Sequence, residues 1–255
     1  MQQQSNTYII LFISAVTVVL GGLLSAANQV LKPAQQRSME LDSKRQILSA
    51  VVSLDGKKGD EILSLYDQSI TAIVVDINGD PVQNDDKGEP MTADKVDVAK
   101  NFKLSPDKRL YPVYKYHKPG NPDAVEATIF PMYGNGLWGP IWGYLALGTD
   151  MNTILGVTFD HESETPGLGA RITSDQIQER YRGKRMFDDS GDLVSVSMLK
   201  GEGNPDSSLD DHHIDGLSGA TITGRGVNAM LRNYVGYYAG YMQRASGSKS
   251  DVVLL

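Results

Sequence analysis

The chain has 255 residues, 40% of them hydrophobic and 22% charged, a composition that suits one globular domain plus an anchor better than two full domains. Its formal net charge of -7 at pH 7 argues against nucleic acid as a partner, because phosphate contacts require clustered lysine and arginine. With no cysteine in the sequence, disulfides, thiolate nucleophiles, iron–sulfur clusters and cysteine-ligated zinc are excluded.

An uncharged apolar run at residues 8–27 is the first predicted element. Its length matches the ~20 residues that a helix needs to cross ~30 Å of hydrocarbon. The alternative is a cleaved signal peptide, since residues 25–27 are small enough for a peptidase. No lysine or arginine precedes the run, however, and it exceeds the ~7–15 residues of a usual signal-peptide core. We therefore predict a retained, single-pass transmembrane anchor at residues 1–28.

The basic residues next to this run bear on the orientation of the anchor. Lys32, Arg37, Lys44 and Arg45 follow it, and no basic residue precedes it. Taken alone, the positive-inside rule places the large domain in the cytoplasm. The bias is weak, because a long domain is translocated largely regardless of charge.

A helical stalk is predicted at residues 29–58. Pro33 interrupts the start of this polar stretch, and the apolar residues 47, 48, 51 and 52 are spaced for one helix face. The soluble domain is then predicted to occupy residues 59–255.

Within that domain, a short helix at residues 60–69 leads into a strand at 72–75, and the pair Asn78-Gly79 favours a tight hairpin turn. Further strands are expected where β-branched and aromatic residues lie between segments rich in Gly, Pro, Asn and Asp: residues 110–116, 127–133, 141–147 and 154–159.

Helices and one more strand complete the predicted domain. A helix at 174–182, with Ser174 as its cap, precedes a strand at 194–199. The final helix, at 225–244, has an apolar stripe at steps of three and four: Val227, Met230, Leu231, Tyr234, Val235 and Tyr238. The predicted class is α+β, with a mainly antiparallel sheet flanked by helices.

The segment 215–226 is rich in glycine and hydroxyl side chains. Its small residues let the backbone approach a bulky ligand, and the amides and dipole at the start of the following helix favour a phosphate. Arg225 adds a positive charge. Ser218, Thr221 and Thr223 are the candidates to contact a phosphate or to be phosphoesterified. The alternative is an ordinary loop in which Thr223 caps the helix.

Two other segments suit a flat ring. In residues 164–169, Pro166 and two glycines build a rigid turn, and Thr165 and nearby amides offer hydrogen bonds to the polar edge of a ring; a simple strand-to-helix turn is the alternative. Residues 134–144 contain both tryptophans, and Trp138 either stacks on such a ring or packs in the core. Glycines 134, 136 and 139 fit the dinucleotide spacing, but no helix pattern follows them, so we interpret that match as chance.

The remaining polar candidates are less specific. Lys200, at a strand end, either faces an anionic ligand or is an ordinary surface lysine. The histidines and aspartates at 161 and 210–213 invite a metal interpretation, but they lack the spacing that makes ligands converge, so no metal site and no catalytic residue is predicted.

The sequence Asp-Gly-x-Ser-Gly-Ala-Thr-x-Thr at 215–223 resembles the flavinylation sequence of the FMN-binding domain family. In that family a transferase moves FMN from FAD onto the threonine after Gly-Ala, and Thr221 holds that place. Residues 164–169 resemble a second motif of the same domain. With residues 134–144 and the anchor, the whole chain resembles the C-subunit family of the sodium-translocating NADH:quinone reductases. The G subunits of the related Rnf complexes form a similar family.

The resemblance implies a covalent FMN, joined by a phosphoester to Thr221, that accepts an electron from a metal centre in neighbouring membrane subunits and passes it to another flavin. NADH oxidation and quinone reduction would drive sodium export in the assembled complex, and the chain alone would have no turnover. The predicted cofactor-binding residues are Thr221, Asp215, Ser218, Gly219, Ala220, Thr223, Glu164, Thr165, Gly167, Leu168, Gly169, Trp138 and Lys200.

The implied partners are the other subunits of the reductase complex, the FAD-dependent FMN transferase and the membrane. The transferase of this family works outside the cytoplasmic membrane, which implies that residues 29–255 lie on the periplasmic side, against the charge count. Two alternatives stay open: an Rnf-type subunit with ferredoxin as electron donor, and an anchored binding module without a redox role.

Overall fold

The computed structural model describes residues 5–85 and 87–246. The chain separates into two compact units, divided between Ser43 and Lys44. The second unit therefore begins 15 residues before the domain boundary predicted at residue 59.

Helix α1 (Asn6–Ser49) has 44 residues and continues through Pro33, which the sequence pattern predicted as an interruption. Proline removes one backbone hydrogen bond of a helix, but the turns on both sides remain helical here. In the described part of the chain, α1 has the length and composition to cross a membrane, and none of its most apolar stretch is buried. The apolar side chains of that stretch are exposed, including Val18 at 74% and Leu24 at 72%.

The end of α1 belongs to the second unit, where Ile47 and Leu48 are buried. The chain leaves the helix at Ser49, and Ala50 packs so closely on the sheet that a Cβ on Gly156 would lie 2.4 Å from the Ala50 carbonyl oxygen. The predicted stalk to residue 58 was thus too long, because residues 50–58 are turns and extended chain.

A five-stranded antiparallel sheet in sequential order forms the centre of the domain. Helix α2 (Gly59–Ser69) leads into it, and the predictions of this helix and of the five strands are confirmed within a few residues. In the sequence, helix α3 (Val98–Asn101) comes between the first and second strands. The strands are β1 (Ile70–Val75), β2 (Tyr111–His117), β3 (Val125–Asn135), β4 (Pro140–Leu147) and β5 (Ile154–His161).

The predicted hairpin turn after β1 also forms, with Gly79 at φ +81°. Beyond it, Pro81 makes a single bridge to Val75, while β1 pairs along its length with β2.

The two faces of the sheet pack into different clusters. Phe130 and Met132 face the long helix α5 (Thr221–Ser246), whereas Ile129 joins Ile47 on the other side, as the two-residue period of a strand requires. The hydroxyl of Tyr238 on α5 is buried and donates to the Pro112 carbonyl oxygen at 2.8 Å. This packing confirms an α+β fold with a mainly antiparallel sheet.

Two elements predicted between β5 and α5 in the sequence are shorter in the structure than predicted. The helix predicted at 174–182 is one turn, α4 (Asp175–Gln178), flanked by 3-10 turns, and the Ser174 hydroxyl donates to the Arg171 carbonyl oxygen rather than capping the helix. The strand predicted at 194–199 is reduced to β6 (Ser197–Met198), which pairs in parallel with β7 (His213–Ile214). Ser195 has φ 67°, a left-handed conformation that interrupts an extended strand.

Candidate functional site

The carboxylate of Glu164, just after β5, joins the three motifs singled out in the sequence. Its Oε1 accepts hydrogen bonds from the backbone N–H groups of Leu137 (2.7 Å) and Trp138 (2.9 Å). Its Oε2 accepts one from the Thr223 hydroxyl at 2.6 Å. The loop after β3, the loop after β5 and the first turn of α5 therefore meet at one side chain.

Two glycines leave room for this carboxylate. A Cβ on Gly136 would lie 2.4 Å from Glu164 Oε1, and one on Gly169 would lie 2.3 Å from Oε2. Both distances are far inside van der Waals contact, so any side chain at either position would displace Glu164. Gly136, one of the three glycines in residues 134–139, thus has a packing reason.

Glu164 is 3% exposed and Thr223 is 1% exposed. Burial opposes ionisation of Glu164, but the hydrogen bonds from Thr223 and from the two amides outweigh it and lower the pKa of the carboxyl below its usual value. The Thr223 hydroxyl is committed to this carboxylate. The alternative in which Thr223 caps the helix was wrong, because α5 begins at Thr221 and Thr223 lies inside its first turn. With its proton donated to Glu164 and its side chain buried, Thr223 does not face a phosphate.

Thr221 occupies a different position, because α5 begins four residues earlier than the predicted residue 225. It is partly exposed in the first turn and lines a small pocket of about 70 Å³. The other residues lining this pocket are Met198, Leu199, Lys200, Leu217, Ala220, Gly224 and Arg225. The side chains of Lys200 and Arg225 are exposed and line the same pocket as Thr221, which lies at the positive end of a 26-residue helix.

The turn before α5 contains the other predicted small residues. Ser218 is exposed, Gly219 has φ +75°, and the buried Ala220 accepts the first helical hydrogen bond from the Gly224 amide at 2.9 Å. A Cβ on Gly219 would lie 2.8 Å from Leu168 Cδ2, so residues 164–169 contact this turn directly.

Asp215 anchors the loop that carries Lys200. Its carboxylate accepts hydrogen bonds from the Gly203 amide (2.9 Å), the Asn204 amide (2.9 Å) and the Asn204 side chain (2.8 Å). Burial raises the pKa of Asp215, but these hydrogen bonds prevail and lower it to about 2. The carboxylate thus faces its own chain rather than a ligand.

Sequence reasoning missed three charged residues that hold this loop: Arg171, Arg180 and Glu202. Arg180 donates to the carbonyl oxygens of Asp215 (3.0 Å) and Gly216 (2.9 Å) and to Glu202 Oε1 (2.9 Å). Glu202 also forms a bidentate pair with Arg171, and the hydrogen bonds from Arg171 and then Arg180 lower the pKa of Glu202 to about 2. Arg180 lies 35 residues from Asp215 in the sequence, so no local pattern reveals the contact.

Exposed apolar side chains cluster in the same three motifs. In the described residues 44–85 and 87–246, six large apolar side chains are exposed, and four of them are Leu137, Trp138, Leu168 and Ile222. Trp138 is 67% exposed, which excludes the core-packing alternative. Thr165 and Gly167 are also exposed, in a turn where Gly167 has φ +76°.

His161 and His213, which the sequence offered as metal candidates, are engaged in hydrogen bonds with their own chain. Nδ1 of His161 accepts from the Glu164 amide at 3.2 Å, and Nδ1 of His213 lies 2.7 Å from Asp210 Oδ1. Among the residues that the structure describes, no group of three or more potential ligands converges on a metal position.

An exposed apolar surface beside a basic helix start with a hydroxyl group is suited to a phosphorylated flat ring. Residues 136–236, which contain nearly all of these features, match the family model for the FMN-binding domain. The chain is thus a protein with an N-terminal apolar helix and an FMN-binding domain.

Whole-chain relatives identify the family more narrowly. The chain is 34% identical to the C subunit of the Na(+)-translocating NADH-quinone reductase of Pseudomonas aeruginosa, over 92% of this chain and 93% of that protein. It is 32% identical to the protein of the same name from Chlamydia trachomatis, over 95% and 93% of the two chains. This chain belongs to the C-subunit family of the Na(+)-translocating NADH-quinone reductases.

Solved structures agree with this assignment. The crystal structure of the family member from Parabacteroides distasonis matches with a TM-score of 0.69 and 33% identity, over 83% of this chain and 96% of that one. NqrC from Shewanella oneidensis matches with a TM-score of 0.68 and 26% identity, over 84% and 100%. The assignment favours the quinone reductase over the Rnf-type alternative.

Proposed function

We propose that this chain is the electron-transfer subunit of a membrane-bound, sodium-translocating NADH:quinone reductase complex and that it carries FMN as a phosphoester on Thr221. The observation that carries the proposal is the position of Thr221, partly exposed at the start of α5 and lining one pocket with Lys200 and Arg225. The same threonine follows Gly-Ala in the flavinylation sequence within the matched domain.

The residues around Thr221 suit a phosphate. The first amides of a helix have no partner within the helix, and the helix dipole places partial positive charge on them. Lys200 and Arg225 add two full charges. In the flavinylation step, Thr221 Oγ1 forms the ester bond to the phosphorus of the FMN half of FAD. The pyrophosphate bond to AMP breaks, the hydroxyl proton is lost and AMP leaves.

The residues around the pocket also suit the ring. Leu137, Trp138, Leu168 and Ile222 present apolar surface that an isoalloxazine would cover, and Trp138 offers an aromatic face. When bound, FMN supplies one-electron chemistry between the other redox groups of the complex. The ester would keep the cofactor attached to the domain.

The family membership supports the remaining parts of the proposal. Its members are subunits of a quinone reductase, so we expect turnover only in the assembled complex, with the other subunits as partners. The FAD-dependent transferase is the partner that loads the cofactor. Because that enzyme works outside the cytoplasmic membrane, we place the domain on the periplasmic side, with α1 as a single-pass anchor.

Co-expression of the full chain with the transferase tests the assignment. Wild-type protein and the control variant Thr173→Ala, at an exposed threonine outside the three motifs, should give a fluorescent band after denaturing electrophoresis, because their ester is intact. Thr221→Ala should give none while the protein remains folded. A fluorescent Thr221→Ala band, or loss of fluorescence in Thr173→Ala alone, would contradict the proposed attachment.

A further inference from the structure

Glu164 is a buried, ionised side chain whose hydrogen bonds are all directed at its own chain. The family resemblance suggests a cofactor contact, but both carboxylate oxygens are occupied by Leu137, Trp138 and Thr223. At 3% exposure it offers almost no surface to a ligand. A different role is needed to explain why the three motifs meet there.

We propose that Glu164 is a positioning residue, whose hydrogen bond to Thr223 fixes the rotation of the first turn of α5 and so presents the Thr221 hydroxyl outward for flavinylation. This inference rests on the proposed function and deepens it.

Helix geometry links the two threonines. Successive residues of an α-helix are rotated by about 100°, so residues two apart point in roughly opposite directions. With Thr223 held inward by Glu164, Thr221 is turned toward the pocket that contains Lys200 and Arg225. Gly169 leaves the space that Thr223 needs to reach Glu164, since a Cβ at residue 169 would lie 2.6 Å from Thr223 Oγ1.

The same carboxylate also places part of the apolar surface. Its other oxygen holds the amides of Leu137 and Trp138, whose side chains are exposed beside the site. One side chain therefore aligns the tether on α5 with the surface proposed to receive the ring.

The structure offers a matched control for this role. Asp150, in the turn between β4 and β5, also accepts hydrogen bonds from two backbone amides and one threonine hydroxyl, those of Asn152 and Thr153. That turn joins the end of β4 opposite the loop containing Trp138. Asp150→Ala therefore removes a similar set of bonds without touching the site.

The experiment uses the full chain in detergent, produced without the transferase and then supplied with FAD and purified transferase. The initial rate of FMN incorporation is measured as a function of acceptor concentration for Glu164→Ala, Glu164→Gln, Thr223→Val and Asp150→Ala. Circular dichroism and thermal unfolding of the same unloaded proteins report whether each variant is folded.

We expect Glu164→Ala and Thr223→Val to lower the kcat of incorporation by about tenfold or more, because small misplacements of a reacting group are costly. The acceptor KM should change little. The kcat of Glu164→Gln should stay within about threefold of the wild-type value. Its amide oxygen can still accept from the Leu137 and Trp138 amides, and its NH₂ group can donate to the Thr223 oxygen. Asp150→Ala should keep the wild-type rate even where its Tm falls.

Folded Glu164→Ala with the wild-type rate would overturn the inference, as would Asp150→Ala slowed to the same degree. If Glu164→Ala does not fold, the rate of FMN incorporation into Thr223→Val tests the inference, because this variant removes only the hydroxyl that Glu164 binds. A wild-type rate in folded Thr223→Val would then overturn it. Failure of wild-type protein to incorporate FMN would instead overturn the proposed function.

Discussion

Three hydroxyl groups in the segment 215–226 differ in direction and burial. Ser218 lies exposed on a turn, Thr223 is buried against Glu164, and Thr221 is partly exposed in a pocket that two cations also line. The sequence pattern named all three as candidates. The spacing of Thr221 and Thr223 on the helix separates these two, because Thr223 faces the core and a residue two positions away faces out.

The side chain of Asp215 gives a pH-dependent prediction. Its pKa in the folded chain is lowered from 3.8 to about 2, so its contribution to stability is present above about pH 4 and is lost as the pH falls toward 2. Asp215→Asn should lower the free energy of unfolding at pH 7 by about 2 kcal/mol, and the difference from wild type should shrink between about pH 4 and pH 2. Urea unfolding at several pH values measures this.

Asp67→Asn is the control for that experiment. Asp67 is an exposed residue 3.4 Å from Lys44, and a surface pair of this kind contributes at most about 1 kcal/mol. A pH-independent difference between Asp215→Asn and wild type would show that the charge of Asp215 is not what stabilises the loop.

Helix α5 covers one face of the sheet and also carries the candidate site. Its predicted core stripe is confirmed, since the side chains from Val227 to Tyr238 named in that stripe are 0–3% exposed. Its start was predicted four residues too late, because Gly224 and Gly226 are typical of loops. Packing explains Gly226, whose Cβ would lie 2.3 Å from the Asn135 carbonyl oxygen.

The two glycines provide a matched test of this packing. Gly226→Ala should destabilise the domain by about 2 kcal/mol or more, because the obstacle is backbone. Gly224→Ala should change stability by no more than about 1 kcal/mol, since its Cβ would meet only the flexible Met198 side chain, with the sulfur at 3.0 Å. Thermal and urea unfolding of both variants measure the difference. Equal losses would show that helix packing at Asn135 does not require glycine.

The strands were easier to predict from the sequence than the hydrogen bonds that join the motifs of the site. Strand and helix signals lie in a few consecutive residues, so β2 to β5 were found from composition and spacing alone. The hydrogen bonds of Glu164 join residues 27 and 59 positions apart, and those of Arg180 join residues 35 and 36 apart. Such contacts depend on the completed fold, and only the motif resemblance pointed to their location.

For the chain as a whole, the proposed periplasmic placement of the domain and the charge count disagree about orientation. Four basic residues follow the apolar run, but long domains are translocated largely regardless of so small a bias. The absence of cysteine makes this testable with single introduced thiols.

In spheroplasts, Lys118→Cys, on an exposed turn after β2, should react with a membrane-impermeant maleimide. Ser5→Cys, just before α1, should react only after the membrane is disrupted. The reverse pattern would place the domain in the cytoplasm and would remove it from a transferase outside the membrane.

Peptide mass spectrometry of the native chain, purified from a host that has the transferase, tests the central claim most directly. We predict that the peptide containing Thr221 carries the added mass of FMN minus water and that fragmentation places this mass on Thr221 itself. An unmodified Thr221 peptide from that host, or FMN attached to another residue, would contradict the account.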